Sequence, residues 1–326
     1  MPSIGVVGAT GAVGTVELEL LAERGYDEVR AFASERSAGS RVPFGNGELK
    51  VELASPETLT GLDLCLFSVG TAASAELVPA AVENGAVCID KSSAFRLTEG
   101  VPLVVPEANA ARVDEHDGIV ANPNCSTIQL VCVLEPLRRA AGLRNVRLAT
   151  YQSASGAGDA SMKRLLNTAP ADVSVTMDWP LEGDEFEEEA KLRGETRKIL
   201  ELPDLAFMAN CVRVPVLVGH CQAIWVQTEE QLSVEDARGL LSAAPSVRLA
   251  EAASAPREAV GGDEVLVGRI RHDPTVDNGL ILFTACDNLR KGAALNALQI
   301  MERLVPIIAG SRDGDLSARA PARTSS

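Results

Sequence analysis

The sequence predicts a two-part α/β chain: a parallel sheet with helices on both faces, then a second domain on a mostly antiparallel sheet. Three observations carry this reading. Short apolar runs alternate with helix-like stretches through the first third of the chain. Beyond Cys125 the candidate strands become longer and are joined by hairpin-type turns. A glycine-rich turn, Gly8-Ala9-Thr10-Gly11-Ala12-Val13-Gly14, separates the first strand from the first helix.

Taken in order, Ser3–Val7 reads as a short buried strand and Gly14–Ala22 as the helix after it. Apolar runs recur at Glu28–Ala33, Leu64–Ser68, Ala86–Asp90 and Leu103–Val105, with a helix at Ala72–Asn84. Runs without polar alternation suit strands buried on both faces. After Cys125, residues Ile128, Leu130, Val131 and Leu134 recur at helical spacing. In the second part, strands are expected at Val146–Ser153, Val212–Val218, Cys221–Gln227, Glu264–His272 and Gly279–Cys286. Gly261-Gly262-Asp263 and Asp277-Asn278-Gly279 supply turns between them. Ser161–Leu200 is a polar, acidic helical stretch, read as an insertion on that sheet. Lys291–Ile308 reads as a strong amphipathic helix and Gly310–Ser326 as a solvated, disordered tail.

The chain has 326 residues, enough for two domains with real cores. Its net charge of −15 argues against a nucleic-acid partner, whose phosphates it repels. The same charge makes any clustering of Arg and Lys more informative. Seven cysteines are scattered without a C-x-x-C pair, which indicates neither a metal site nor a disulfide framework and suits a reducing cytoplasm. No apolar stretch approaches the length of a membrane span, and no signal-peptide pattern opens the chain. A cytoplasmic protein without a membrane partner is expected.

The glycine turn has the context of a dinucleotide loop: glycines allow close approach of a pyrophosphate, which the helix N-terminus stabilises. Its spacing is G-x-x-G-x-x-G rather than G-x-G-x-x-G, and a glycine turn without a nucleotide is the plain alternative. At the end of the second strand, Arg36 with Ser34 and Ser37 favours the 2′-phosphate of NADP, while Glu35 is the residue an NAD site would use. Cys125 follows Asn122-Pro123-Asn124 and precedes Ser126-Thr127 at a helix start. There the backbone dipole favours thiolate, and free N–H groups can hold an oxyanion. A core cysteine has no need of that polar turn. Gln152 ends a strand where it can orient a thiol or a carbonyl. Arg213 and His220, seven residues apart, face opposite sides of one continuous strand, so Pro215 or Gly219 must bend the path if both reach one site. Glu188 and Lys191 share a helix face, for which a surface ion pair is the plain reading. His116 and His272 receive no role.

Together these residues resemble the aspartate-semialdehyde dehydrogenase family. The likeness covers nearly the whole chain, through Gly8 to Gly14, Ser92-Ser93-Ala94-Phe95-Arg96, Asn122 to Thr127, Gln152 to Gly158, Glu195-Thr196, Arg213 to His220 and Asp287 to Ala294. It implies a Rossmann NADP-binding domain over 1–123 and a catalytic and dimerisation domain over 124–289, like that of glyceraldehyde-3-phosphate dehydrogenase. Residues 290–309 would form a helix packing back on the nucleotide domain, with 310–326 a flexible tail. By resemblance Cys125 is the acyl-thioester nucleophile, His220 the acid/base, and Gln152 a group positioning the reacting centre. Arg213 would hold the substrate carboxylate, Glu188 its amine, and Arg96 and Lys191 the phosphate. Thr10, Gly11, Ala12, Val13, Arg36, Ser37, Ser155, Gly156 and Asn288 match cofactor-contacting positions. No metal is implied; the implied partners are aspartyl phosphate or aspartate semialdehyde, inorganic phosphate, and a second copy or more of the chain as homodimer or homotetramer. The reaction so implied is NADPH-dependent formation of aspartate semialdehyde in the biosynthesis of lysine, threonine, methionine and diaminopimelate. Cys221 departs from the family, where serine is common, and places a second thiol beside the histidine.

Two alternatives differ in sequence. An N-acetyl-glutamyl-phosphate reductase would have glycine before the cysteine and an aromatic after it, where this chain has Asn124 and Ser126. A non-catalytic paralogue acting as a binding module would have lost the thiol or the base, and both are kept.

Overall fold

The computed structural model describes residues 1–250 and 256–313. The first part is a seven-stranded sheet of β1 (Ile4–Val7), β2 (Val29–Ala33), β3 (Arg41–Phe44), β4 (Gly47–Leu53), β5 (Leu64–Phe67), β6 (Val87–Asp90) and β7 (Ile119–Ala121). Their order is β3-β4-β2-β1-β5-β6-β7, all parallel except the β3–β4 hairpin. Strands β1, β5 and β6 are buried at every residue, as central parallel strands covered on both faces must be. Helices α1 (Ala12–Glu23) and α2 (Thr71–Glu83) make crossovers, and the short α3 (Pro106–Asn109) follows β6. Chain order reverses between β1 and β5, which opens a crevice at their carboxyl ends.

Helix α4 (Cys125–Ala141) leads from this sheet into the second one. The second sheet holds β8 (Asn145–Gln152) and, after a two-stranded ribbon of β9 (Leu181–Glu182) and β10 (Glu185–Phe186), the strands β11 to β15. These are β11 (Ala206–Arg213), β12 (His220–Gln227), β13 (Val247–Leu249), β14 (Val265–His272) and β15 (Gly279–Cys286), in the order β11-β8-β12-β15-β14-β13. Three of its five pairings are antiparallel; β11–β8 and β13–β14 are parallel. Helices α5 (Asp159–Asn167), α6 (Glu187–Leu200), α7 (Val234–Ala243), α8 (Pro256–Ala259) and α9 (Leu295–Asp313) complete the chain. The apolar face of α4, from Ile128 to Leu137, packs on this sheet through Val146, Ile224 and Leu282. Helix α9 returns instead to the first sheet, where Leu298, Met301 and Leu304 join Leu18 and Leu21 of α1 in one core.

Several expectations need correction. Leu103–Val105 is not a strand: Leu103 makes one bridge to Ala121, and Pro102 and Pro106 flank the run, so Pro106 opens α3 at once. The β3–β4 hairpin does not show in apolar patterning because it lies at the edge of the sheet, with β3 outermost, and both strands carry exposed polar residues. The strand expected at Val212–Val218 is instead Ala206–Arg213, and residues 214–219 form a loop in which Gly219 has φ +96°. Arg213 and His220 therefore end and begin two different strands, which removes the problem of opposite faces. The acidic stretch Ser161–Leu200 resolves into α5, the β9–β10 ribbon and α6. The last helix begins not at Lys291 but after a π-helical turn, Arg290–Ala294, and runs to Asp313. Of the expected tail, residues 314–326 lie outside the described residues. Among the described residues no helix is long and apolar enough to cross a membrane.

Candidate active site

Cys125 is the first residue of α4, and Asn124 caps that helix. Asn124 is bonded at every polar atom: Oδ1 accepts from the Ser126 amide (2.8 Å), and the Asn124 carbonyl from the Ile128 amide (2.9 Å). Its own amide donates to Glu195 Oε2 (2.7 Å), and Nδ2 to Glu188 Oε1 (2.9 Å). Glu188 Oε1 also accepts from Gln152 Nε2 (2.9 Å), so one carboxylate ties the cap to the end of β8. Gly292 in the π-turn lies behind the thiol; a Cβ there would come 3.1 Å from Cys125 Cβ.

In front of Cys125 is a cavity of about 320 Å³ into which Arg96, Gln152, Glu188, Lys191 and Arg213 also project. The elements α4, β8, α6 and β11, with the loop that carries Arg96, therefore bring these sequence-predicted residues together, and Gly156 lines the same cavity. Arg213 is held on three sides: Nη1 donates to Ser153 O (3.0 Å), Nε to Asp178 Oδ1 (3.2 Å), and the guanidinium lies 4.4 Å over the Trp179 ring. Arg96 donates Nη1 to Glu195 Oε1 (2.9 Å), Nε to Asn122 O (3.1 Å) and Nη2 to Lys91 O (2.6 Å). Three of its five N–H groups are fixed, leaving two for an anion. Lys191 pairs with Glu187 at 2.6 Å rather than with Glu188, because the i, i+4 neighbour shares its outer face while Glu188 turns inward.

His220 is fully buried at the start of β12. The Ser153 amide donates to Nδ1 at 3.0 Å, which assigns the proton of the neutral ring to Nε2. Among the described residues Nε2 has no hydrogen-bond partner, and a Cβ on Gly156 would come 3.1 Å from both Nε2 and Arg213 Nη1. Glycine at 156 thus lets His220 and Arg213 pack against the same backbone; Gly156 and Arg213 line the cavity, while His220 lies behind that lining. Ser155 and Asn288 stand behind: Asn288 Oδ1 accepts from the Gly219 amide (2.8 Å) and Ser153 Oγ (3.0 Å), and its Nδ2 donates to Ser155 Oγ (2.9 Å). Their amide and hydroxyls thereby fasten the loop that carries His220. Cys221, next along the strand, points to the opposite face into a core with Leu266 and Ala285, so the second thiol is not in the site.

Electrostatics reverse one expectation. Burial, helped by Glu188, pushes the Cys125 thiol up to about 12, against Arg96, Arg213 and the Ser126 amide. Cys125 retains partial exposure, yet crowding by the surrounding protein outweighs the helix end. The resting group is the thiol rather than the thiolate. Burial and the neighbouring Arg213 push His220 down to about 3, so it is neutral at pH 7.

The glycine turn occupies the crevice between β1 and β5. Gly8 has φ +93°, and a Cβ there would meet Ser68 O at 2.3 Å; at Gly14 it would meet Gly8 O at 2.2 Å. Those two glycines serve strand-to-helix packing. A Cβ at Gly11 would meet only Gly8 O, at 3.4 Å, so space remains above it. Helix α1 has no side-chain cap and no acidic residue in its first turn, and its ladder opens with Thr15 N to Gly11 O at 3.0 Å. The amides of Ala12, Val13 and Gly14 precede that bond, and Thr10 lies in the turn before them. An open, uncharged helix end at a switch point fits a diphosphate. Exposed Arg36 and half-buried Ser37 lie in the turn after β2, beside the crevice.

Asn124, Asp178, Trp179 and Glu195, in or behind the cavity, have no expected role. Glu195 was legible in principle, since it lies at i+7 from Glu188 and shares its inward face with Leu192 and Ile199.

A dinucleotide crevice beside a pocket that combines a thiol with several cations defines a nicotinamide-dependent oxidoreductase. The family descriptions "Semialdehyde dehydrogenase, NAD binding domain" and "Semialdehyde dehydrogenase, dimerisation domain" match residues 3–116 and 134–291. Aspartate-semialdehyde dehydrogenase of Bacillus subtilis is 43% identical, over 92% of this chain and 96% of that protein. That of Corynebacterium melassecola is 42% identical, over 94% and 100%. The crystal structure of aspartate semialdehyde dehydrogenase II from Vibrio cholerae complexed with ASA superposes with a TM-score of 0.89 at 38% identity, covering 94% of this chain and 98% of that one. The chain belongs to the aspartate-semialdehyde dehydrogenase family.

Proposed function

We propose that this enzyme forms L-aspartate 4-semialdehyde from L-aspartyl 4-phosphate and NADPH through a thioester on Cys125, in the biosynthesis of the aspartate-family amino acids. The observation that carries the reading is the cavity in which Cys125 meets Arg96, Lys191 and Arg213 within a chain of net charge −15. Cations gathered against the background charge suit a substrate with two anionic groups. Arg213 takes the carboxylate, Glu188 the amine, and Arg96 with Lys191 the phosphate.

The Cys125 sulfur attacks the acyl carbon, forming C–S and breaking C–O as phosphate departs. This step needs no net proton: the one leaving sulfur ends on the departing phosphate, and neutral His220 is the relay between them. Gln152, fixed by Glu188, orients the reacting carbonyl. The amides of Ala12 and Val13, with Thr10 and Gly11, would hold a nicotinamide dinucleotide, which would supply the hydride. Ser155, Gly156 and Asn288 support the side of the cavity where its ring would lie. Collapse of the thiohemiacetal breaks C–S, and His220 relays to sulfur a proton taken up from solvent, the one proton the overall reduction consumes. A thioester has little of a carboxylate's resonance stabilisation, so it can accept hydride where the free acid cannot.

Phosphate-dependent reduction of NADP by aspartate semialdehyde, run beside N-acetylglutamate semialdehyde, tests the activity. Turnover confined to the first substrate is expected; preference for the second would replace the reading with N-acetyl-glutamyl-phosphate reductase. The choice of NADP rests on Arg36 and Ser37. Arg36→Ala should weaken NADP binding by about 1.5–3 kcal/mol with little effect on NAD, and equal losses for both cofactors would contradict the assignment. A homodimer is proposed through the outer face of the second sheet, where Met208, Arg147, Trp225 and Ile281 lie in register. Seven free cysteines suit a cytoplasmic setting.

A further inference from the structure

Glu188 and Glu195 lie on the same face of α6, and both are buried, at 5% and 1% exposure. Their partners differ. Glu188 binds the side chains of Asn124 and Gln152, at the acyl end of the cavity. Glu195 uses one oxygen for the Asn124 backbone amide and the other for Arg96 Nη1. It is thus the one carboxylate bonded to both the cap of the thiol helix and the arginine facing the phosphate, among the described residues.

We infer that Glu195 is a positioning residue that sets the distance and angle between the Cys125 sulfur and the phosphate bound by Arg96. The inference rests on the reading of Arg96 as a phosphate ligand. Its physical basis is the directionality of a bridging carboxylate. With Oε1 and Oε2 each accepting one charge-assisted or backbone bond, the planar group fixes two donors on separate chain segments at once. The Arg96 guanidinium is then clamped at three nitrogens, by Glu195, Asn122 O and Lys91 O, with its remaining N–H pair directed away from them. Lys91 continues the line: its ammonium pairs with buried Glu17 of α1, which also accepts from Ser68 Oγ at 2.9 Å. The phosphate arginine is therefore tied to the nucleotide helix on one side and to the thiol cap on the other. An amide at 195 cannot do the same, since it offers one acceptor oxygen and turns an NH2 towards a donor.

The test compares two variants that share helix, face and burial. Glu195→Gln should raise the KM for inorganic phosphate in the oxidative direction roughly tenfold, the loss expected for one misplaced charge-assisted hydrogen bond. It should also lower kcat, while KM for the aldehyde and binding of NADP stay within about twofold. Glu188→Gln should lower kcat and alter the aldehyde KM without moving the phosphate KM. A purely structural role would make the two variants alike, and that result overturns the inference. Should Glu195→Gln fail to fold, Glu195→Asp keeps the charge but is one methylene too short to reach both partners, and the same phosphate-specific rise is expected. Arg96→Lys separates the inference from the reading beneath it. If Arg96→Lys raises the phosphate KM and neither Glu195 variant does, Glu195 does not position Arg96. If Arg96→Lys also leaves it unchanged, Arg96 is not the phosphate ligand and both claims fall.

Discussion

Two helix N-termini stand at the candidate sites of the chain, and they are built in opposite ways. Helix α1 opens with glycine, has no side-chain cap and no carboxylate in its first turn, and leaves its leading amides facing a crevice. Helix α4 opens with Asn124, whose every polar atom is bonded, and two carboxylates of α6 hold that cap in place. Both ends carry the same partial positive charge. One leaves its donors open so that a ligand can complete them; at the other the Asn124 side chain takes up the Ser126 amide and is itself held by α6, so that a side chain can be aimed. At α4 the dipole does not create a resting thiolate, because burial and Glu188 outweigh it. Position, with a neutral histidine nearby, is what the capped end provides.

The largest expected effect breaks the aimed end. His220→Asn keeps some hydrogen-bonding capacity but cannot relay a proton, and should lower kcat by about 10²–10⁴-fold. Steady-state kinetics across pH check this. In the wild type the acid limb of kcat/KM should lie well below pH 6.5, because the ring is held neutral down to about 3. The same depression has a stability consequence. The unfolded chain takes up this proton first, so the histidine's stabilising difference is complete above pH 6.5 and is lost as pH falls towards 3. Urea unfolding at pH 7 and at mildly acid pH should show wild type losing more stability than His220→Asn over that window. An unchanged pH profile in the variant would make His220 structural.

A smaller effect separates packing from ligand contact at the open end. Gly14→Ala places a Cβ 2.2 Å from Gly8 O and should cost about 1–3 kcal/mol in stability, with weaker dinucleotide binding. Gly11→Ala meets only a 3.4 Å contact, so thermal stability should hardly change. Titration with NADP then reports whether the space above Gly11 is needed: weaker binding with unchanged melting identifies the phosphate cradle. Equal destabilisation by both substitutions would reduce the turn to a packing motif.

The smallest effect concerns the cap itself. Asn124→Ala removes one cap bond and should cost about 1–2 kcal/mol of stability. If the cap aims the thiol, kcat should fall by more than this loss of folding accounts for under conditions where the variant is fully folded. A variant with normal kcat would show that α6 alone fixes Cys125.

The contrast between the two ends also explains what was legible in the sequence. Buried parallel strands such as Ile4–Val7 and Leu64–Phe67 were readable because burial on both faces demands unbroken apolar runs. The β3–β4 hairpin at the edge of the sheet was not, since solvent reaches its polar residues, Glu48 and Lys50 among them. Ala206–Arg213 was misplaced because its outward residues belong to an exposed sheet face, while the apolar residues after it belong to a loop. Glycines and the Asn-Pro-Asn-Cys turn were legible because their backbone and chemical demands are local. Glu195 is legible as an inward-facing residue but not in its role, because its partners, Arg96 and Asn124, are far away in sequence. The pairing of Lys191 with Glu187 rather than Glu188 is not legible, because a helical wheel does not say which of two glutamates turns inward.

The central claim is that the capped end of α4 delivers a cysteine that becomes acylated. It is tested most directly by mixing the enzyme with aspartate semialdehyde and NADP without phosphate, quenching in acid, and mapping the modified peptide by mass spectrometry. The account predicts one hydroxylamine-labile aspartyl group on Cys125, which disappears when phosphate is added before the quench and never forms in Cys125→Ala. An acyl group on another cysteine, or burst formation of NADPH in Cys125→Ala, would contradict it.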